Sequence, residues 1–320
     1  MKNHRFILEP YKSQHTRHTC PNCERKSEFS RYIDTWNRYT FPEYVGRCNR
    51  ESSCGYHYTP KQFFDNNPHE RAAANDGNGH AKIWNMPQVP KQPEKPIDYI
   101  DEKIMLATMQ QYERNSFIIG LRSIFDEIQI RRIIDRYKLG TTRDGGVIFW
   151  QIDTLGRVHY GKVMHYQTDL HRDKSKHPVG YHSLMGKYGF NHRQCFYGEH
   201  RLALPENKYK LIAIVEAEKS SCICSEVMPD FIWLATGGKN GVKWTDKNVW
   251  AYLKGRKVIL FPDVDAHQQW KEKAVLFRSF GIDVEVYEDL AKIAPGTQDD
   301  IADHIIIDLM QRKQQSTTVM

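Results

Sequence analysis

The sequence predicts an α/β protein in pieces, with a small metal-stapled module first and a parallel sheet carrying helices on both faces last. Three observations carry this. Four of the seven cysteines fall within Cys20–Cys54. A polar, proline-bearing stretch then runs from Asn66 to Pro96. From Lys210 onward, short apolar runs alternate with amphipathic ones, the pattern of strands joined by crossover helices.

The first module, residues 1–65, rests on Cys20-Pro-Asn-Cys23 and on Cys48 and Cys54, which have five residues between them. Two close pairs supply four thiolates for a tetrahedral Zn²⁺. His57, three residues beyond Cys54, can replace either cysteine of the second pair. The run between the pairs, "SRYIDTWNRYTFPEYVGRC", alternates like a hairpin, as expected of a zinc ribbon. So small a module buries little core, which makes the metal a structural staple first. Around it stand Arg31, Arg38 and Arg47, interleaved with Tyr32, Trp36, Tyr39, Phe41 and Tyr44. Cations for phosphates and flat rings for bases are the chemistry of single-strand binding.

Residues 66–96 read as a flexible linker, with five prolines and the run "ANDGNGH". Residues 97–204 read as a small mixed α+β segment. "IDYIDEKIMLATMQQY" and "NSFIIGLRSIF" have apolar residues at helical spacing, and "DEIQIRRIIDRYKLG" opens acidic and closes on Gly140. "GGVIFWQIDTLGRVHYGKVMHY" reads as a hairpin turning at Asp153–Gly156. Its second strand carries Arg157, His159, Lys162 and His165. Residues 171–200 are basic and irregular.

The last domain, residues 205–313, has expected strands at Leu211–Val215, Phe231–Ala235, Lys257–Phe261 and Asp283–Tyr287. Helices are expected near 217–227, 246–254, 266–280 and 300–312, followed by a polar tail at 314–320. Cys222 and Cys224 fall on the apolar part of a helix and read as core.

No segment approaches the roughly 18 apolar residues of a membrane span, and the start lacks the apolar core of a signal peptide. A cytoplasmic protein with no membrane partner is expected, and the net charge of +7 points to a polyanion.

Three groups of acids close the argument. Glu216 ends the first buried strand, Asp263-Val264-Asp265 ends the third, and Asp300 and Asp303 lie three apart at a helix start. Carboxyl ends of parallel strands are where open α/β sheets bind ligands. So many carboxylates on one crest repel unless a hard divalent cation, Mg²⁺ or Mn²⁺, sits between them. In a basic chain that arrangement fits phosphoryl or nucleotidyl transfer.

With these motifs in view, residues 205–312 resemble the Toprim domain of bacterial-type primases, topoisomerases and certain nucleases. "VEAEKSS" resembles its glutamate motif, "PDVDA" its Asp-x-Asp motif, "DDIAD" the acidic ending of phage and plasmid primases, and "ATGGKNG" its glycine-bearing loop. A zinc ribbon, a linker, a basic segment and then Toprim is the order of the bacterial and phage primases. The resemblance implies that Glu216, Asp263 and Asp265 hold Mg²⁺ and act catalytically, with Asp300 and Asp303 assisting. Arg157, Lys162 and Lys187, with Lys219 and Lys239 of the quoted motifs, would bind template or triphosphate. Two motif glycines are replaced: Ala217 follows Glu216, and Gln268 and Gln269 occupy the stretch after Asp265.

The expected function is primer synthesis on single-stranded DNA from nucleoside triphosphates, for a mobile element, plasmid or phage. Any replicative helicase would be a separate partner. A non-catalytic Toprim and zinc mediator of recombination or replication is the alternative, and a Toprim nuclease is a further one.

Overall fold

The computed structural model describes residues 4–50, 54–76, 79–80, 96–186, 190–238, 241–290 and 299–318. The chain divides into two compact units, Met1–Pro96 and Ile97–Met320.

In the first unit, strands β1 (Phe6–Leu8), β2 (Phe29–Asp34), β4 (Gly46–Cys48) and β5 (His57–Tyr58) form an antiparallel sheet in the order β1-β2-β4-β5. The short β3 (Tyr39–Thr40) pairs in parallel with β6 (Gly79–His80). Helix α1 (Pro60–Asn66) starts at Thr59, whose side chain accepts from the Gln62 amide, with Pro60 at the first helical position. Helix α2 (Pro68–Asp76) follows at once. The linker expected from residue 66 therefore does not begin there. Polar sequence hid a helix that is fixed from outside itself: Glu70 accepts from the Tyr39 hydroxyl at 2.7 Å, and Arg5 donates to the Ala74 carbonyl at 2.8 Å.

Tyr39, Phe41 and Tyr44, expected to offer rings to bases, are buried in the core with Phe29, Phe63 and Phe64. In so small a unit these rings supply most of the apolar area that can be buried.

In the second unit, α3 (Glu102–Thr108), α4 (Ser116–Leu121) and α5 (Glu127–Tyr137) precede an antiparallel sheet. Its strands are β7 (Gly140–Thr141), β8 (Val147–Ile152), β9 (Val158–Met164) and β10 (Val179–Gly180), in the order β10-β9-β8-β7. The expected hairpin is β8–β9, with Asp153 accepting from the Leu155 and Arg157 amides across the turn. Helix α5 stops at Lys138, which takes a left-handed conformation (φ 56°), because Gly140 already belongs to β7. The four-residue α6 (Tyr181–Leu184) follows the sheet.

A second, all-parallel sheet holds β11 (Leu211–Val215), β12 (Phe231–Ala235), β13 (Lys257–Leu260) and β14 (Asp283–Val286), in the order β12-β11-β13-β14. Helices α7 (Glu218–Val227), α8 (Lys247–Trp250), α9 (His267–Ser279) and α10 (Ile301–Thr318) surround it. Residues 314–318, expected as tail, continue α10.

Successive residues of β11 face opposite ways. Ala213 and Val215 join one core with Ile223, Trp233 and Ile306, while Ile212 and Ile214 join another with Trp270 and Phe277. The first of these cores also contains Phe117, Ile133, Tyr137 and Phe149. Residues 97–204 and 205–313 therefore share one apolar interior.

Candidate functional site

The metal centre lies in the first unit. The Sγ atoms of Cys20, Cys23, Cys48 and Cys54 all lie within 4.8 Å of one another. Cys20 and Cys54 are 3.7 Å apart, and Cys23 and Cys48 are 4.0 Å apart. Tetrahedral zinc with Zn–S bonds of about 2.3 Å places its sulfurs about 3.8 Å from one another, so this cluster fits zinc. Burial pushes the Cys20 and Cys48 thiols upward, and a cation offsets that penalty on the thiolates. At Cys54 burial also opposes ionisation, but the Asn22 amide donating at 3.4 Å helps hold the thiol down to about 7.

His57 is not among the clustered ligands. Its Nε2 lies 2.9 Å from the Tyr32 hydroxyl, and the two rings stack. Strand alternation explains this, because His57 points outward on β5 while Tyr58 turns into the core.

Of the basic and aromatic surface predicted for this unit, Trp36 is 59 % exposed. It lies under the guanidinium of Arg5 at 4.8 Å and near that of the exposed Arg38 at 5.7 Å. Arg31 pairs with Glu43 at 3.2 Å. Arg47 is half-buried in β4, beside Tyr32.

The second unit gathers the acids. Since β11 and β13 are neighbours in the sheet, Glu216 and Asp263 follow their carboxyl ends side by side. The Asp263–Asp265 loop is tied to the last acidic motif, where the Val264 amide donates to the Asp299 carbonyl at 3.1 Å. Ala217, where the Toprim glutamate motif that this stretch resembles has glycine, has φ −96° and ψ 143°. That extended backbone is open to any L-residue, so nothing locally requires glycine there. Gln268 and Gln269 lie inside α9.

Asp263 is a strongly perturbed member of this crest. Burial raises its carboxyl to about 8, helped by the charges of Asp300, Glu216, Asp265 and Asp303. Its Oδ1 is buried with no hydrogen-bond partner among the described residues. Asp265, on the next turn, is exposed.

Asp300 is 8 % exposed. It accepts from the Ser220 hydroxyl, the Ala302 amide at 2.7 Å and the Asp303 amide at 3.0 Å. Burial keeps its carboxyl raised even though Lys219 pulls it down. Lys219 itself is ion-paired with Asp303 at 2.6 Å. Burial lowers its ammonium, but Asp300 and Asp303 outweigh that and raise it. Among the described residues, no three of these carboxylates bring oxygens within 4.8 Å of one another.

A raised acid has a definite linkage sign. In the metal-free fold Asp263 holds a proton that the unfolded chain releases near its ordinary 3.8. Its contribution to stability is full below that value and is lost as pH rises through about 8. Asp263→Asn should therefore raise the thermal midpoint of metal-free protein at pH above 8 by about 4–8 °C, equivalent to ~2 kcal/mol. It should change the midpoint little at pH below about 4, where both states hold the proton. Equal midpoints for the two proteins in alkali would place the repulsion elsewhere.

Two basic candidates are engaged within the second unit. Lys162, on β9, donates to Glu218 Oε2 at 2.9 Å and to the Gly237 carbonyl at 3.1 Å. Arg157 donates to Asp153 at 2.8 Å and lies over the Tyr99 ring at 4.9 Å. Lys187 and Lys239 lie outside the described residues. Glu218 was not predicted as a site residue. Its one signal was its place two residues after Glu216, at the start of α7.

Residues 115–264 match the domain of unknown function DUF6371, and residues 4–69 match a family described as a zinc beta-ribbon finger. No curated protein matches this chain. Among solved structures it resembles the zinc-binding and RNA polymerase domains of Aquifex aeolicus primase, with 12 % identity, 97 % of this chain and 79 % of that one covered, and a TM-score of 0.39. The primase fragment of the bacteriophage T7 primase-helicase matches with 13 % identity, 94 % and 98 % coverage and a TM-score of 0.39. A DnaG primase catalytic domain bound to single-stranded DNA matches with 13 % identity, 66 % and 81 % coverage and a TM-score of 0.37.

Proposed function

We propose that this protein is a primase-like nucleotidyltransferase that makes short primers on single-stranded DNA, for replication of a mobile element, plasmid or phage. A replicative helicase is a candidate partner under this reading. The observation that carries the reading is Asp263: a carboxylate with an orphaned buried oxygen, raised by burial and by four nearby acids, beside Glu216 at the ends of adjacent parallel strands. The Toprim-like motifs that contribute these residues support the same reading.

Glu216, Asp263 and Asp265 would hold Mg²⁺ or Mn²⁺. When bound, the metal activates the attacking oxygen and stabilises charge on the leaving pyrophosphate. Lys219 holds Asp303 and lowers the charge on the Asp300 side of the crest. That leaves Glu216, Asp263 and Asp265 as the acids to which a divalent cation adds most. Lys162, held by Glu218 and the Gly237 carbonyl, is the ammonium that would meet a phosphate at this loop.

One observation favours the non-catalytic mediator: Lys219 already neutralises part of the acidic crest from within. Incubation with single-stranded template, labelled ribo- and deoxynucleotides, and Mg²⁺ or Mn²⁺ separates the readings. New oligonucleotides are expected. Cut template would indicate a nuclease, and binding without product would indicate a mediator.

The first unit is assigned to template binding through its exposed indole and flanking guanidiniums. Trp36→Ala should weaken binding to single-stranded DNA by about 1–3 kcal/mol, the worth of one stacked base. Affinity should also fall steeply with salt. Unchanged affinity in a fluorescence-anisotropy titration would remove Trp36 from the interface.

A further inference from the structure

The Lys162–Glu218 pair has neighbours that a simple structural ion pair does not need. Gln151 faces Tyr160 across the β8–β9 hairpin, and Phe149 faces Lys162. Residues two apart share a strand face, so Gln151 and Lys162 lie on the same side, towards Glu218. Gln151 is 1 % exposed, yet neither atom of its amide has a hydrogen-bond partner among the described residues. Glu218 is 2 % exposed, and its Oε1 is orphaned in the same way. Both groups press on one glycine: a Cβ at Gly237 would meet Gln151 Nε2 at 3.1 Å and Glu218 Oε1 at 3.4 Å. Gly237, at φ +84°, and Gly238 both donate to the Glu216 carbonyl at 3.1 Å. The pair therefore abuts the loop that braces the acidic crest.

Buried polar groups are rarely left unpaired, and a buried charge without a partner is costly. An orphaned amide donor beside a half-satisfied carboxylate is explained if the carboxylate sometimes needs that donor. We propose that Glu218 is a stand-in for phosphate. It holds Lys162 in the free protein and releases it to a phosphate group of the bound ligand, while the Gln151 amide becomes the partner of Glu218. Glu218 and Gln151 are then positioning residues that set how readily Lys162 engages a phosphate. The ligand chemistry is phosphate, carried by single-stranded nucleic acid or by a nucleoside triphosphate. The inference rests on the functional reading above, because that reading brings phosphates to this crest.

The test is a double-mutant cycle read by direct binding of two separate probes, a labelled oligothymidylate and ATP. Glu218→Gln should tighten binding of the phosphate-bearing probe about tenfold, the scale of one partly buried ion pair. That gain should vanish in a Lys162→Ala background, because no ammonium remains to release. The probe that tightens identifies the phosphate source. A gain that persists without Lys162 would reveal general repulsion and overturn the switch. Unchanged or weaker binding by folded Glu218→Gln would overturn it too.

Should Glu218→Gln fail to fold, Gln151→Met carries the test. Removing an orphaned amide should leave the thermal midpoint equal or higher, while affinity falls about tenfold because released Glu218 lacks a donor. Unchanged affinity would sink the proposal. Wild-type protein that binds neither probe would defeat the functional reading, and the switch with it. Wild-type binding with an unresponsive cycle defeats the switch alone.

Discussion

Glu216→Gln and Asp263→Asn are each expected to abolish primer synthesis on single-stranded template, a loss of at least about a hundredfold. Each replacement keeps the size of the side chain and removes the charge that a divalent cation needs. The fold should survive. Asp263 is already raised to about 8 by burial and by the acids around it, so deleting its charge relieves repulsion in the metal-free protein. Lost synthesis with retained or improved stability separates a chemical role from a structural one. Lys162→Ala should instead weaken nucleotide or template affinity and keep part of the turnover, because it would remove the proposed contact to phosphate and leave the acids in place. Variants of Glu216 or Asp263 that synthesise primers at near wild-type rates would end the catalytic assignment.

The parallel sheet was legible because its strands are buried on both faces. Continuous runs such as Leu211–Val215 and Phe231–Ala235 admit few other readings, and the structure places both where the runs do. Parallel pairing then puts Glu216 beside Asp263, so that part of the crest could be inferred from strand ends. The state of its charges could not. That Lys219 would turn inward to Asp303 depends on the packing of α7 against α10, which links residues 84 positions apart. The motif pattern alone assigned Lys219 to nucleic acid.

Other signals misled for physical reasons. In the first unit, aromatic residues alternating with arginines suit a base-stacking surface and a small core equally well. The structure buries Tyr39, Phe41 and Tyr44 and leaves Trp36 outside. Alternation tells which residues share a face but not which face meets water. Helix α2 has a polar sequence and an interior Ala run, and it is tied down by contacts to Tyr39 and Arg5 that lie far off in sequence. The Glu218–Lys162–Gln151 group joins positions from β8, β9 and α7, and no local pattern announces it.

Removing zinc should unfold the first unit and leave the second intact. Cys20 and Cys48 are fully buried within the same apolar cluster as Phe29, Val45 and Tyr56, so the ligands are part of the core and not a clip on its surface. The surrounding strands span two to six residues, too short to hold a sheet without additional help. Structural zinc contributes about 10–16 kcal/mol of apparent binding energy in peptides of this kind, more than a unit of this size normally gains from its core. Chelation, or Cys48→Ser, should therefore erase hydrogen-exchange protection in β2 and β4, while β11 and β13 keep theirs. Elemental analysis of untreated protein should find about one zinc per chain. His57→Ala should retain the metal, because His57 bonds Tyr32 and lies outside the cysteine cluster. Native protection in β2 and β4 without any bound zinc would show that the aromatic core suffices and that the thiols merely fill space.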